Sequence, residues 1–184
     1  MTTRPTTGDG YGVLERGGER LRLRYVRRLE HAPEKVWRAI TEPEHISAWF
    51  PTDIVGERAP GAELTFPFRQ GEGPTMTGSM LAFDPPELLE ILWGEEVLRF
   101  ELAPDGDATV LTMAVTFDEL GKAARDGAGW HACLDALAAD LSGDEGDPPE
   151  DRFRGVRKEY VDRFGPEAST IGPPKEWVDT HGEP

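Results

Sequence analysis

Residues 127–143 read GAGWHACLDALAADLSG, and this stretch decides the fold. Large apolar side chains recur in it at intervals of four, three and four residues, at Trp130, Leu134, Leu137 and Leu141. This spacing predicts an apolar stripe along one face of a helix that is long enough to cross a sheet. Such a stripe needs an apolar surface to cover, and the preceding sequence supplies one.

That surface is predicted to be an antiparallel sheet. From Glu19 onward, Leu21, Leu23 and Tyr25 alternate with arginines, as in a half-buried strand. After Phe50 come short runs separated by turn residues, which is typical of an antiparallel meander. The runs are Thr52–Val55, Ala62–Phe68, Met76–Phe83, Leu88–Trp93, Val97–Leu102 and Ala108–Phe117.

Helices are predicted at three further places. Residues 32–40 place Pro33 in a first helical turn and apolar residues at helical spacing, and a second short helix is expected to end at Trp49. A later helix is expected from Arg152 to Phe164. Two brief helices in succession do not suit the long crossover of a parallel sheet, so the pattern favours an α+β protein.

Composition excludes several classes of function. The chain has 184 residues, with 35 acidic against 20 basic side chains and a formal net charge of −15. Residues 31–142 hold 20 of the acids and seven of the bases, so the folded part would repel phosphates, and neither nucleic acid nor an anionic membrane is an expected partner. No apolar run is long enough for membrane insertion, and the single cysteine, Cys133, cannot form an internal disulfide. We therefore expect a cytoplasmic protein.

Four sequence motifs together resemble the SRPBCC (START-like) superfamily. They are APEKVWRAITEP at 32–43, the pair Trp49-Phe50, DPPELLEILW at 84–93, and GWHACLDAL at 129–137. Within that superfamily they are most similar to bacterial homologues of the carboxy-terminal domain of the heat-shock-protein ATPase activator. The resemblance implies a helix-grip fold, in which a curved antiparallel sheet wraps around a long C-terminal helix and two short helices follow the first strand.

The resemblance also sets the expected domain limits. Residues 1–18 would be a flexible N-terminal segment, 19–142 the START-like domain, and 143–184 an extension with a helix near 152–164. Between sheet and helix it implies an elongated apolar cavity, which relatives use for sterols, lipids, hormones or polyketides. Fold alone cannot choose among these functions.

The candidate ligand site is therefore an apolar cavity, although the same side chains could form an ordinary packed core. Nine apolar side chains are predicted to line it: Trp49, Phe50, Phe66, Phe68, Trp93, Phe100, Met113, Trp130 and Leu134. The segment Trp49-Phe50-Pro51 would be either a gate to this cavity or a plug that closes the core.

Two polar residues complete the candidate site. Arg27 falls on the apolar face of the first strand, so either a bulge turns it to solvent or it needs an inward partner such as Glu90, Glu101 or a ligand carboxylate. His131 could border the cavity as a hydrogen-bonding group. His131 and Cys133 point about 200° apart on a helix, so they cannot form a catalytic pair. No spacing suggests a metal site, and no cofactor is expected.

Three functions remain open. The first is a binding module for an apolar or amphipathic small molecule, with no catalytic residues. The second is an enzyme like the polyketide cyclases and dehydratases, which would need Arg27, His131, Tyr25 or Glu101 to converge inside the cavity. The third is a chaperone-associated protein, which we rank lowest because no separate activator domain precedes the first strand in this sequence. Oligomeric state cannot be read from the pattern.

Overall fold

The computed structural model describes residues 8–69, 71 and 73–183. Seven strands form one antiparallel sheet in the order β1-β2-β7-β6-β5-β4-β3. The strands are β1 (Val13–Glu15), β2 (Leu21–Leu29), β3 (Glu63–Phe66), β4 (Met76–Asp84), β5 (Leu88–Trp93), β6 (Glu96–Asp105) and β7 (Ala108–Phe117). The sheet is curved, and its concave face packs on the long helix, so the predicted α+β helix-grip fold is confirmed.

In the part of the chain that the structure describes, five α-helices accompany the sheet. They are α1 (Pro33–Thr41), α2 (Pro43–Trp49), α3 (Ala123–Ser142), α4 (Pro149–Phe164) and α5 (Lys175–His181), with single 3-10 turns at Leu120–Lys122 and Pro166–Ala168. Pro33 and Pro43 both stand at helix starts, where a missing N–H costs nothing. No helix in the described part of the chain has the length and apolar character needed to span a bilayer.

The structure differs from the predicted elements in three places. Thr52–Val55 is not a strand, because only Val55 makes an isolated bridge, to Thr65. Conversely, Val13–Glu15 forms the edge strand β1 inside the segment that we expected to be loose, whose first seven residues lie outside the described part. The helix predicted from Arg152 begins three residues earlier, at Pro149.

The core lies between the concave face of the sheet and α3. Leu23, Phe100 and Met113 from the strands meet the apolar stripe of α3, and all are almost fully buried. Helix α4 packs on α3 through Phe153, Val156, Tyr160 and Phe164. Burying apolar area in this way, at about 25 cal/mol per Å2, is the main force that holds these layers together.

Candidate functional site

Helix α3 presents two different faces to the rest of the molecule. Trp130, Leu134, Leu137 and Leu141 form the buried apolar stripe. Gly127, His131 and Asp135 recur every fourth residue, about 90° around the helix axis from that stripe. This second face meets β2 and α4, so α3 separates an apolar region from a polar one.

The apolar region is an aromatic cluster made of Trp49, Phe50, Trp93, Phe100 and Trp130. Phe50 is its centre: its ring centroid lies 5.3 Å from that of Trp49, 5.9 Å from Trp93 and 5.6 Å from Trp130. Trp93 and Trp130 meet edge to face at 5.5 Å, and Trp49 meets Phe100 at 5.9 Å. These edge-on and tilted contacts are the favourable ones for aromatic rings.

The other apolar candidates lie in or beside the same core. Phe66, Met113 and Leu134 are buried with the cluster, whereas Phe68 is half-buried. The surface hollows in the described part of the chain include one between β1 and the end of α4 and one on the outer face of the sheet. Neither is lined by a residue of the aromatic cluster, whose rings pack against one another in this structure.

Hydrogen bonds from Arg69, which the sequence analysis did not single out, hold the Trp49-Phe50-Pro51 segment in place. Arg69 donates to the carbonyl oxygens of Phe50 and Thr52, both at 2.7 Å, and to that of Ile46 at 3.3 Å. Its Nε also donates to Asp53 at 2.7 Å. The indole N–H of Trp49 donates to the Ala39 carbonyl at 2.9 Å. The segment is therefore fixed against the core, and we call residues 49–51 the plug segment.

The polar region is a network of five side chains: Arg27, Asp135, Arg152, His131 and Tyr160. The Asp135 carboxylate is its centre, accepting from Arg27 Nη1 at 2.7 Å and from Arg152 Nε at 2.5 Å. His131 Nε2 lies 3.4 Å from the same carboxylate, and His131 Nδ1 lies 2.9 Å from the Tyr160 hydroxyl. The network joins β2, α3 and α4 through directional bonds.

Ionisation in this network is set by burial and by charge. Burial opposes ionisation of Asp135, but hydrogen bonds from His131, Arg27 and Arg152 outweigh it and hold the pKa of Asp135 well below its ordinary value. Burial raises the pKa of the Tyr160 hydroxyl to about 12. At neutral pH the network therefore holds an ionised carboxylate and a neutral phenol.

Arg27 does not have the partners that the sequence suggested. Pairing of β2 with β7 is continuous from Leu21 to Leu29, so there is no bulge at Arg27 to turn it outward. Glu90 and Glu101 both pair with Arg99 instead, away from Arg27. Its true partner, Asp135, is 108 residues away in sequence. The one sequence signal that could have indicated this partner is the recurrence of Gly127, His131 and Asp135 at every fourth position, which places them on one face of a helix.

Arg27 and His131 are therefore separate from the aromatic cluster. The structure brings together Arg27, His131 and Tyr25, whose hydroxyl donates to the Gly127 carbonyl at 2.7 Å, but Glu101 lies elsewhere. Burial raises the pKa of the Cys133 thiol to about 12, so it is protonated at neutral pH. Among the described residues, no group of three or more His, Cys, Asp or Glu side chains could hold a metal ion.

These features define the class of protein as a helix-grip α+β protein whose long helix buries an aromatic cluster. The profile of the family described as "Activator of Hsp90 ATPase homolog 1-like protein" matches residues 30–142. The chain belongs to this family, and the predicted membership of the SRPBCC superfamily is confirmed. A comparison with curated proteins finds no match.

Several solved structures share the fold. CalU16 from Micromonospora echinospora is 23% identical, with 84% of this chain and 94% of that chain covered and a TM-score of 0.66. A conserved protein of unknown function, EF2215 from Enterococcus faecalis, is 18% identical over 83% and 89% of the two chains, with a TM-score of 0.70. The BPP1335 protein from Bordetella parapertussis is 25% identical over 89% and 95%, with a TM-score of 0.63. These comparisons indicate a common fold and assign no activity.

Proposed function

We propose that the chain binds an apolar or amphipathic small molecule between α3 and the concave face of the sheet, and that the aromatic cluster is the closed form of this site. One observation supports this most: a continuous row of rings leads inward from the surface. Trp93 is half-buried, and it contacts Phe50 and Trp130, which are almost fully buried. The rings of the cluster carry no charge, so the row would favour an apolar guest.

The plug segment is suited to opening without damage to the sheet. Phe50 directly follows α2, and the chain from Pro51 to Ala62 contains no strand, only the bridge at Val55. Arg58 donates to the carbonyls of Thr41, Ile54 and Gly56, which fixes the far end of this loop. Release of Arg69 would therefore free Phe50 while the rest of the loop stays attached.

A hydrogen bond beside Phe50 offers a place for the polar end of an amphipathic molecule. The Thr52 hydroxyl accepts a hydrogen bond from the Trp93 indole at 3.2 Å, and both residues adjoin Phe50 in space or in sequence. A hydroxyl or carbonyl group on the ligand could replace the Thr52 hydroxyl as the acceptor of this bond. Deeper in, Met113 and Leu134 would contact the apolar body, and the flexible Met side chain can adapt to its shape.

A binding titration tests this proposal. The probe is N-phenyl-1-naphthylamine, an uncharged apolar fluorophore, followed by energy transfer from tryptophan. We expect saturable binding, and tighter binding to Phe50→Ala because the shorter side chain unplugs the site. Phe153→Ala is the matched control, since Phe153 is a buried ring on α4 outside the cluster. Equal changes in both variants, or no saturation in any protein, would contradict the proposal.

The two other functions rank lower. Catalysis would need polar groups convergent in the apolar site, whereas Arg27 and His131 are bonded within the polar network on the other face of α3. Stimulation of a chaperone ATPase is suggested by the family name alone. A rise in the ATPase rate of purified Hsp90 on addition of this chain would reverse that ranking.

A further inference from the structure

One edge of the Arg27 guanidinium has no partner in the described part of the chain. Nη1 binds Asp135, but Nε and Nη2 are buried without a hydrogen-bond acceptor. The N–H groups on this edge run parallel, and they match the two oxygens of a carboxylate in a bidentate pair. A buried donor pair of this kind is unusual, because buried polar groups are normally satisfied.

The charges around this edge favour an additional anion. Two guanidinium groups, Arg27 and Arg152, pair with one carboxylate, Asp135, and the next carboxylate, Asp147, acts on Arg152 through its charge alone. His131 and Tyr160, which complete the surroundings, contribute no negative charge. The polar network is therefore locally cationic in a chain whose formal net charge is −15. In a partly buried site of low dielectric, this imbalance attracts an anion more strongly than it would at the surface.

Residues 9–12, which we call the cover, lie over the Arg27 guanidinium. A Cβ on Gly10 would be 3.5 Å from Arg27 Nε and 3.6 Å from Cζ, so the Gly10 backbone packs on the guanidinium beside the unpartnered edge. The Tyr11 ring lies 4.7 Å from that of His131 and 5.2 Å from that of Tyr160. Gly12 N–H donates to the Tyr160 hydroxyl at 2.8 Å.

The outer end of the cover is held weakly. Asp9 pairs with Arg163 at 2.6 Å, and both side chains are more than a third exposed. Arg163 also lies over the Tyr11 ring, 4.3 Å from its centroid. Exposed ion pairs contribute little to stability, so this pair adds little to the cost of moving residues 9–11. The main cost is the loss of the Tyr11 ring contacts with His131 and Tyr160.

We infer that the Nε and Nη2 edge of Arg27 is a binding site for a carboxylate that is attached to a flat apolar group, and that such a ligand binds when the cover moves aside. The carboxylate pairs with Arg27, and the flat group takes the place of the Tyr11 ring against His131 and Tyr160. This site is distinct from the aromatic cluster. The site extends beyond the part of the chain that matches the family model, residues 30–142. Three of its residues lie outside that part: Arg27, Arg152 and Tyr160.

Nitrogen-15 NMR of the arginine side chains tests this inference on the full chain. The probe is benzoate, and the Arg27 Nε–H resonance is identified by its loss in Arg27→Lys. We expect benzoate to shift this resonance in a saturable way. Lysine keeps the positive charge but lacks the two parallel N–H donors, so Arg27→Lys should weaken benzoate binding by roughly tenfold. Circular dichroism checks that the variant is folded.

A second pair of variants tests the cover. Asp9→Asn removes the carboxylate that holds the cover, and it should tighten benzoate binding by about twofold to fivefold. Glu159→Gln removes the other carboxylate that pairs with Arg163. Glu159 lies on α4 and not in the cover, so this variant should leave benzoate binding unchanged. Equal effects of the two variants would contradict the role of the cover.

Three other results would overturn the inference. The first is the absence of any benzoate-dependent shift in both the wild-type chain and Asp9→Asn, and the second is equal affinity in Arg27→Lys. The third is tighter binding of inorganic phosphate than of benzoate, which would reject the carboxylate assignment. Because the probe for the aromatic cluster is uncharged, failure here would leave the proposed function standing.

Discussion

The two faces of α3 are built on different principles. The aromatic cluster on one side is held by packing, which has little directional preference, and its five rings lie entirely within the matched residues 30–142. The polar network on the other side is held by directional bonds to Asp135, and it draws Arg27, Arg152 and Tyr160 from outside that range. A packed apolar region can rearrange around a guest, whereas a bonded network resists rearrangement.

The largest effect that separates the two faces should come from Trp130→Ala. Removal of this buried ring loses apolar burial and leaves a cavity, so we expect a loss of about 3–5 kcal/mol in the free energy of unfolding. Urea denaturation measures it. Trp177→Ala, on the half-buried face of α5, is the control and should cost clearly less. A similar cost for both would indicate that Trp130 is not central to the core.

The polar network should be nearly as sensitive to loss of its central acid. Asp135→Asn would leave the mostly buried Arg27 guanidinium and the partly exposed Arg152 guanidinium without their carboxylate, and we expect a loss of about 3 kcal/mol in the free energy of unfolding. Asp162→Asn breaks an exposed pair with Lys158 on α4 and should cost less than about 1 kcal/mol. Equal costs would show that the network contributes little.

A smaller effect is expected at the plug. Arg69→Ala removes three hydrogen bonds to backbone carbonyls, so we expect a loss of about 1–3 kcal/mol in the free energy of unfolding. The same variant should bind N-phenyl-1-naphthylamine faster, because Phe50 is released. Arg99→Ala, whose partners lie at the outer sheet face, serves as the control in stopped-flow fluorescence. Unchanged association rates in Arg69→Ala would contradict the proposal that the plug segment controls entry to the site.

The smallest effect is a pH dependence. The pKa of Asp135 is lower in the folded chain than in the unfolded chain, so its stabilising contribution is complete above the unfolded value, near 3.8, and is lost as the pH falls through the folded value. The difference in unfolding free energy between wild type and Asp135→Asn should therefore shrink from roughly pH 5 down to pH 2. Urea denaturation across this pH range measures the difference. A constant difference would contradict the claim that Asp135 is ionised in the folded chain.

Most of the fold could be predicted because its signals are local. Alternation indicated β2 and the five later strands, and the stripe from Trp130 to Leu141 indicated α3. Strand β1 was missed because three residues between glycine-rich segments carry almost no periodicity. The run Thr52–Val55 was over-read because strand-forming residue types also occur in a loop, here one held by Arg58 and Arg69.

The candidate site could be predicted only in part. The aromatic residues share the core because burial follows from hydrophobic pattern, so Trp49, Phe50 and Trp130 could be grouped from the sequence. Whether they enclose a space depends on side-chain packing, which has no sequence signal of its own. Arg27 and Asp135 are 108 residues apart in sequence and come together only because α3 packs on β2. No local spacing in the sequence could predict this pair.

The most direct test of the proposed function is the stoichiometry of N-phenyl-1-naphthylamine binding to the wild-type chain at equilibrium. The structure leads us to expect saturation at about one molecule per chain, with quenching of tryptophan fluorescence and displacement by an uncharged long-chain alcohol. Non-saturable binding, or saturation without any change in tryptophan fluorescence, would contradict a ligand site at the aromatic cluster.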